Sequence, residues 1–235
     1  MGKKILNPLD LKEELLRDLS KAFGNNMLSV IVFGSAVTPR YVPGKSDINI
    51  LLVVRHDSVQ AMAPLNGLEK KWASRKVVFS FFFTPSYIQT SLDAYPMEFM
   101  EIRRDHLLLH GIDFFSELEI SPRLLRLQCE RELKGKLLHL KREHIRWSHK
   151  PKVLRSLLGV SFSQFLIIFR NILSAAGRPE VPHSAAELCA ETEKALGVDA
   201  AALKRIAEGQ EVIFQEYIAA IEGITMALDR MGVKE

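Results

Sequence analysis

Cysteine is scarce: Cys129 and Cys189 are the only two in a chain of 235 residues. Two thiols cannot build a disulfide scaffold or a four-thiolate zinc site within one chain, so both are expected in the core. Uninterrupted apolar runs of membrane-spanning length are lacking too. The most apolar stretch, Leu157 to Ala176, carries Ser161, Ser163, Gln164, Arg170 and Asn171. A spanning helix needs ~20 mostly apolar residues without buried charge, so this stretch reads as the buried helix of a bundle. Residues Met1 to Pro8 lack the apolar core of a signal peptide, and the expected compartment is the cytoplasm. The sequence has no internal repeat and no low-complexity segment.

What is present is globular composition: 47% hydrophobic, 26% charged, mean hydropathy +0.03. A chain of this length buries a core unaided. The net charge of +4 is unevenly spread, with eleven Lys or Arg against three Glu between Ser121 and Arg155. That excess reads either as a solvated helix face or as a phosphate-facing surface. Trp147 is its one aromatic residue, so it matches a single-strand stacking platform poorly.

The first half alternates helix and strand. Asp10 with Glu13 has the spacing of a capping box, followed by an apolar stripe at Leu11, Leu15, Leu19, Ala22 and Phe23. Strands are expected over 27–33, 47–54 and 76–83, with one or two more within 96–109. A helix is expected over 58–72, interrupted by Pro64 and Gly67, and Thr84 with Pro85 opens another. From Ser121-Pro122 onward the pattern is helical, with helices near 122–147, 152–176, 184–196, 200–208 and 210–231. Ser184 with Glu187 forms a second capping-box pair, and Gly177, Pro179 and Pro182 end the long apolar helix. The fold class is α/β (α+β): a mixed-sheet domain over 1–120 and an α-helical bundle over 121–235.

The segment that carries chemistry is Val30–Ser35 (VIVFGS), an eleven-residue loop, then Asp47–Val54 (DINILLVV). A buried strand ends in Gly34-Ser35. The next begins with Asp47 and Asn49 on one face, while Ile48 and Ile50 point into the core. Glycine allows a phosphate close to the backbone, and the serine hydroxyl can bond its oxygen.

This pattern resembles the nucleotidyltransferase superfamily with a polymerase-beta-like catalytic domain, whose signature is Gly-Ser, a loop, then acid-x-acid on the next strand. Residues 84–102, His106–Gly111 (HLLLHG) and Glu130–Leu140 (ERELKGKLLHL) are similar to bacterial members of it. Aminoglycoside adenylyltransferases share the two-part layout. The resemblance implies that Gly34 and Ser35 hold a nucleoside triphosphate and that Asp47 binds Mg²⁺. Two such ions would stabilise in-line displacement at the α-phosphorus.

The departures carry equal weight. Asn49 stands where the second carboxylate belongs, and Mg²⁺ prefers anionic oxygens. Members of the superfamily also place a third acid on a neighbouring strand. The strand 77–83 has Ser80 but no acid, so Glu98 or Glu101 is the substitute candidate. On a regular strand their odd spacing would put them on opposite faces, so at most one would reach the site. Gly34, Ser35, Asp47 and Asn49 are expected to line one cleft between the domains.

The expected function is therefore nucleotidyl transfer from an NTP to an unidentified hydroxyl acceptor, with Mg²⁺, weak or inactive because of Asn49. One alternative is a non-catalytic nucleotide-binding or regulatory protein. Another is a nucleic-acid or toxin–antitoxin module, motivated by the basic stretch. His139, His144 and His149 lie five apart, so they fan around a helix and are expected to be exposed. Arg142 with His149 is reminiscent in spacing of the Arg-x-His motif of small helical ribonuclease domains, a pairing that chance explains. Arg170, inside an apolar helix, must be paired or reach a cleft.

Overall fold

The computed structural model describes residues 5–178 and 180–232. Met1–Lys4 and Pro179 lie outside them, and with them the start of the leader reading and the helix-ending role of Pro179. The chain divides into two compact units, Met1–Glu119 and Ile120–Glu235.

The first unit is built on four strands: β1 (Met27–Phe33), β2 (Ile48–Val54), β3 (Val77–Phe83) and β4 (His106–Gly111), in the order β3-β2-β1-β4. β1 pairs antiparallel with β2 and β4, and β2 pairs parallel with β3, so the sheet is mixed. One face takes Val30, Val32, Ile48, Ile50, Leu52 and Val54 against Leu15 and Leu19 of α1 (Lys12–Phe23) and the buried Trp72. The other face carries Ser29, Ile31, Leu51 and Val53, all 0% exposed.

Local chemistry explains where these elements begin. Asp10 does not cap α1. Asn7 accepts the N–H of Leu9 at 3.0 Å and caps a 3-10 turn, Pro8–Leu11, from which α1 continues. Pro8 has no N–H to satisfy and a fixed φ, so it favours that earlier start. The expected helix over 58–72 splits at Pro64 into α2 (Val59–Met62) and α3 (Leu65–Ala73). Thr84 caps α4 (Pro85–Thr90), its hydroxyl accepting the N–H of Tyr87 at 3.1 Å.

The stretch 96–109 differs most from expectation. Its first nine residues form helix α5 (Pro96–Arg104), and only β4 follows. Proline at the first helical position, Glu98 in the first turn and Arg103 and Arg104 in the last match the helix dipole. Met97, Phe99 and Ile102 are its buried apolar residues, and the Phe99 ring lies 5.7 Å from that of Phe83.

Beyond β4, Asp113 accepts the N–H groups of Phe115 (2.9 Å) and Ser116 (3.1 Å) and meets His106 Nε2 at 3.0 Å. This fixes Phe115, 0% exposed, against Phe99. Burial raises the Asp113 pKa, but the hydrogen bonds and the His106 ring outweigh it and leave the carboxyl below its ordinary value. The stability it adds is therefore present above about pH 4 and lost as pH falls through the lowered folded value. Asp113→Ala is expected to cost about 1–2 kcal/mol in urea unfolding at pH 7, and less at pH 3. An equal cost at both values would contradict this.

The second unit is helical throughout its regular structure: α6 (Pro122–Trp147), α7 (Pro151–Ala175), α8 (Ala185–Leu196), α9 (Ala201–Ala207) and α10 (Phe214–Arg230). Ser121 caps α6 through the N–H of Leu124. Ser184 stands at the N-cap of α8 without a side-chain cap bond, so that capping box does not form. Gly177, at φ +73°, closes α7, with Arg178 N–H donating to the Leu173 carbonyl at 3.0 Å. By length and composition α7 passes for a membrane span, yet 56% of its most apolar window is buried within the chain. Arg170 is buried on it. Cys129 and Cys189 are both 0% exposed, and burial pushes the Cys189 thiol up to about 12, where it stays protonated.

Candidate functional site

β1 delivers the chain into a 3-10 turn, Gly34–Val37, and β2 begins directly beside it because Phe33 is the register partner of Asn49. Gly34 takes φ +76°, and a Cβ there would lie 3.6 Å from Asn49 Nδ2. The turn and the start of β2 therefore converge, as adjacent antiparallel strands require. The Gly34 N–H donates to the Asp105 carbonyl at 2.7 Å, so this amide is committed to the fold. The Ser35 carbonyl accepts from the Thr38 N–H and hydroxyl, both at 3.1 Å, which sets the turn. Ser35 itself is half-buried.

Asp47 sits just ahead of β2, which starts at Ile48, and its side chain is 53% exposed. Its carboxylate lies 3.6 Å from Lys76 Nζ. Asn49 is half-buried, and its Oδ1 accepts the Ser80 hydroxyl at 3.0 Å. Ser80 reaches it through a bulge: Ile50 pairs with Phe79 and Leu51 with Phe81, leaving Ser80 as the extra residue of β3. Beside this polar group the Phe33 and Phe81 rings stack at 5.6 Å, Phe81 on Phe83 at 5.2 Å, and Phe83 on Tyr87 at 5.1 Å.

Glu98 and Glu101 stand three apart on α5 rather than alternating along a strand, because that segment is helical. Glu101 pairs with Arg104 on its own helix, and Glu98 is exposed. The acid that sequence reasoning missed is Asp105, at the end of α5. It is buried, its carbonyl holds Gly34, and its carboxylate holds Arg40 of the loop at 2.9 Å. No spacing rule links residue 105 to residue 34; the contact exists because β4 pairs with β1.

The donor set does not fit a pair of divalent ions. Among the described residues no group of three or more His, Cys, Asp or Glu side chains could hold a metal. Asp47 supplies one carboxylate, while Asn49 and Ser80 are neutral. The Asn49 oxygen accepts the Ser80 hydroxyl, and its amide nitrogen is the atom nearest the position of a Gly34 Cβ. A donor nitrogen beside the turn suits an anion better than a cation.

Among the described residues, six of the eleven cations in the basic stretch of the second unit meet an acid, Lys136 pairing with Glu132 and Arg142 with Glu143. Arg126 pairs with Glu130, Lys134 with Glu130 and Asp229, Lys141 with Glu222, and Arg155 with Glu211. A phosphate surface needs uncompensated cations. His139 and His149 are exposed, but His144 stacks on Phe214 with ring centroids 4.9 Å apart and is half-buried, contrary to expectation.

No family model and no curated protein matches the chain. Among solved structures it is similar to the spectinomycin adenyltransferase AAD(9) from Enterococcus faecialis, whose crystal structure contains ATP and spectinomycin. The TM-score is 0.58 at 12% identity, covering 95% of this chain and all of the other. The likeness is one of fold: a nucleotidyltransferase-like mixed sheet followed by helices.

Proposed function

We propose that this chain binds a nucleoside triphosphate at the Gly34–Ser35 turn and transfers its nucleotidyl group weakly or not at all. The observation that carries the reading is the Asn49–Ser80 hydrogen bond: a neutral amide and a neutral hydroxyl, bonded to each other, stand beside Asp47 where a carboxylate would be needed. Two cations held close repel strongly, and carboxylate charge is what offsets that repulsion. A neutral pair does not supply it. The turn keeps two features that suit nucleotide binding, a positive-φ glycine without a side chain and a neighbouring hydroxyl. The AAD(9) likeness supports a triphosphate ligand, and by analogy a hydroxyl-bearing small molecule as any acceptor.

Calorimetry with ATP, in Mg²⁺ and in EDTA, tests the reading together with a pyrophosphate-release assay. The expected result is binding that changes less than about threefold between the two conditions, with no measurable turnover. Robust turnover abolished by Asp47→Ala would show a working enzyme with an altered metal shell. Absence of ATP binding in both conditions would remove the nucleotide reading itself.

A further inference from the structure

Lys76 is the one non-glycine residue with positive φ, +63°, among the described residues. Glycine or asparagine takes that conformation at little cost, whereas a lysine held there is strained. Two backbone bonds keep it in place: its N–H donates to Ala73 at 3.0 Å, and its carbonyl accepts from Ile48 at 2.7 Å. β3 and β2 run parallel with Val77 opposite Ile48, so Lys76 falls opposite Asp47. Its ammonium lies 3.6 Å from the Asp47 carboxylate, with both side chains about half exposed.

The local charge balance makes this position informative. The polar groups beside the turn are Asp47, Asn49 and Ser80, with Arg40 already bound to the buried Asp105. A lone carboxylate with two neutral neighbours cannot anchor a pair of metal ions, yet a triphosphate still needs positive charge. Lys76 is the cation that meets Asp47. A lysine is a compact point charge on a flexible stem and needs no coordination geometry. It can leave a half-exposed, weakly held carboxylate at small cost.

Resting on the nucleotide reading above, we propose that Lys76 supplies the counter-charge for the bound triphosphate in place of a metal pair, swinging from Asp47 to the phosphate oxygens. Its ammonium already stands beside Asp47, two residues before Asn49.

The test measures affinity for ATP and for inorganic triphosphate in EDTA, using wild type, Lys76→Gln, Lys76→Arg and Lys76→Gly. Lys76→Gln is expected to weaken both ligands about tenfold or more, and Lys76→Arg to stay within about threefold of wild type. Lys76→Gly is expected to lose affinity like the glutamine variant while melting about 2–5 °C higher, because glycine relieves the positive φ. A merely structural lysine would lower the melting point instead. Unchanged EDTA affinity in Lys76→Gln, equal loss in Lys76→Arg, or wild-type binding that vanishes in EDTA would each overturn the proposal. Wild type that binds neither ligand with or without Mg²⁺ would instead refute the nucleotide reading on which it rests.

Discussion

Gly111→Ala is expected to unfold the first unit or lower its melting temperature by more than about 10 °C. Gly111 ends β4 at φ +87°, opposite Ser29 of β1. A Cβ added there would sit 1.8 Å from the Leu28 carbonyl oxygen and 2.8 Å from its carbon. Both are backbone atoms of β1, so no side-chain rotation relieves the clash; the strands must part. Parting them also breaks the bond from the Ile112 N–H to Ser29 Oγ, 3.1 Å, and leaves a fully buried hydroxyl in need of a partner. Steric strain, a lost hydrogen bond and an orphaned polar group together cost about 3–5 kcal/mol. Gly67→Ala in α3 is the control. Its Cβ meets nothing within 4 Å, and its helical position favours alanine, so it is expected to be neutral or stabilising by about 0.5–1 kcal/mol. Thermal melts of both variants decide the matter: if Gly111→Ala melts within a degree or two of wild type, the strand-parting account is wrong.

On the proposed nucleotide reading, the double variant Asn49→Asp with Ser80→Asp is expected to make nucleotide binding metal-dependent. Affinity in Mg²⁺ should exceed that in EDTA by about tenfold or more. Asn49 shares its strand face with Asp47, and Ser80 already reaches Asn49 across the β3 bulge. Two new carboxylates would stand beside the existing one, restoring the negative charge that offsets repulsion between bound cations. Without metal the same charges repel phosphate, so EDTA binding should weaken below wild type. Asn49→Asp alone should move in the same direction by a smaller factor. Calorimetry in the two conditions reads the change directly. Equal affinities in Mg²⁺ and EDTA for the double variant would show that these positions do not face the phosphates.

Much of the local geometry of the candidate site was legible in the sequence because its parts are close in the chain and obey short-range rules. The buried strand, the Gly34-Ser35 turn and the next strand lie within residues 27–54, and period-2 alternation assigns Ile48 and Ile50 to the core and Asn49 to the opposite face. The mixed sheet and the helical second half were readable for the same reason, through periodicity, Ser121-Pro122 and Gly177. The segment 96–109 supplied one of the one or two strands expected of it, β4, and its first part became a helix because short segments have no decisive period. The Pro96 start and the charge bias along Glu98 to Arg104 made it a helix.

The sequence by itself therefore determined the two-part architecture, the turn and the absence of a second carboxylate at position 49. Tertiary structure alone decided the rest. It brought Asp105 under Gly34, matched Ser80 to Asn49 through a one-residue bulge, set Lys76 against Asp47 and spread acids from α10 over the basic face of α6. Each of these contacts joins residues far apart in the chain, through strand register or helix packing. Register is fixed by the summed burial of both sheet faces, a sum that no local pattern of residues contains.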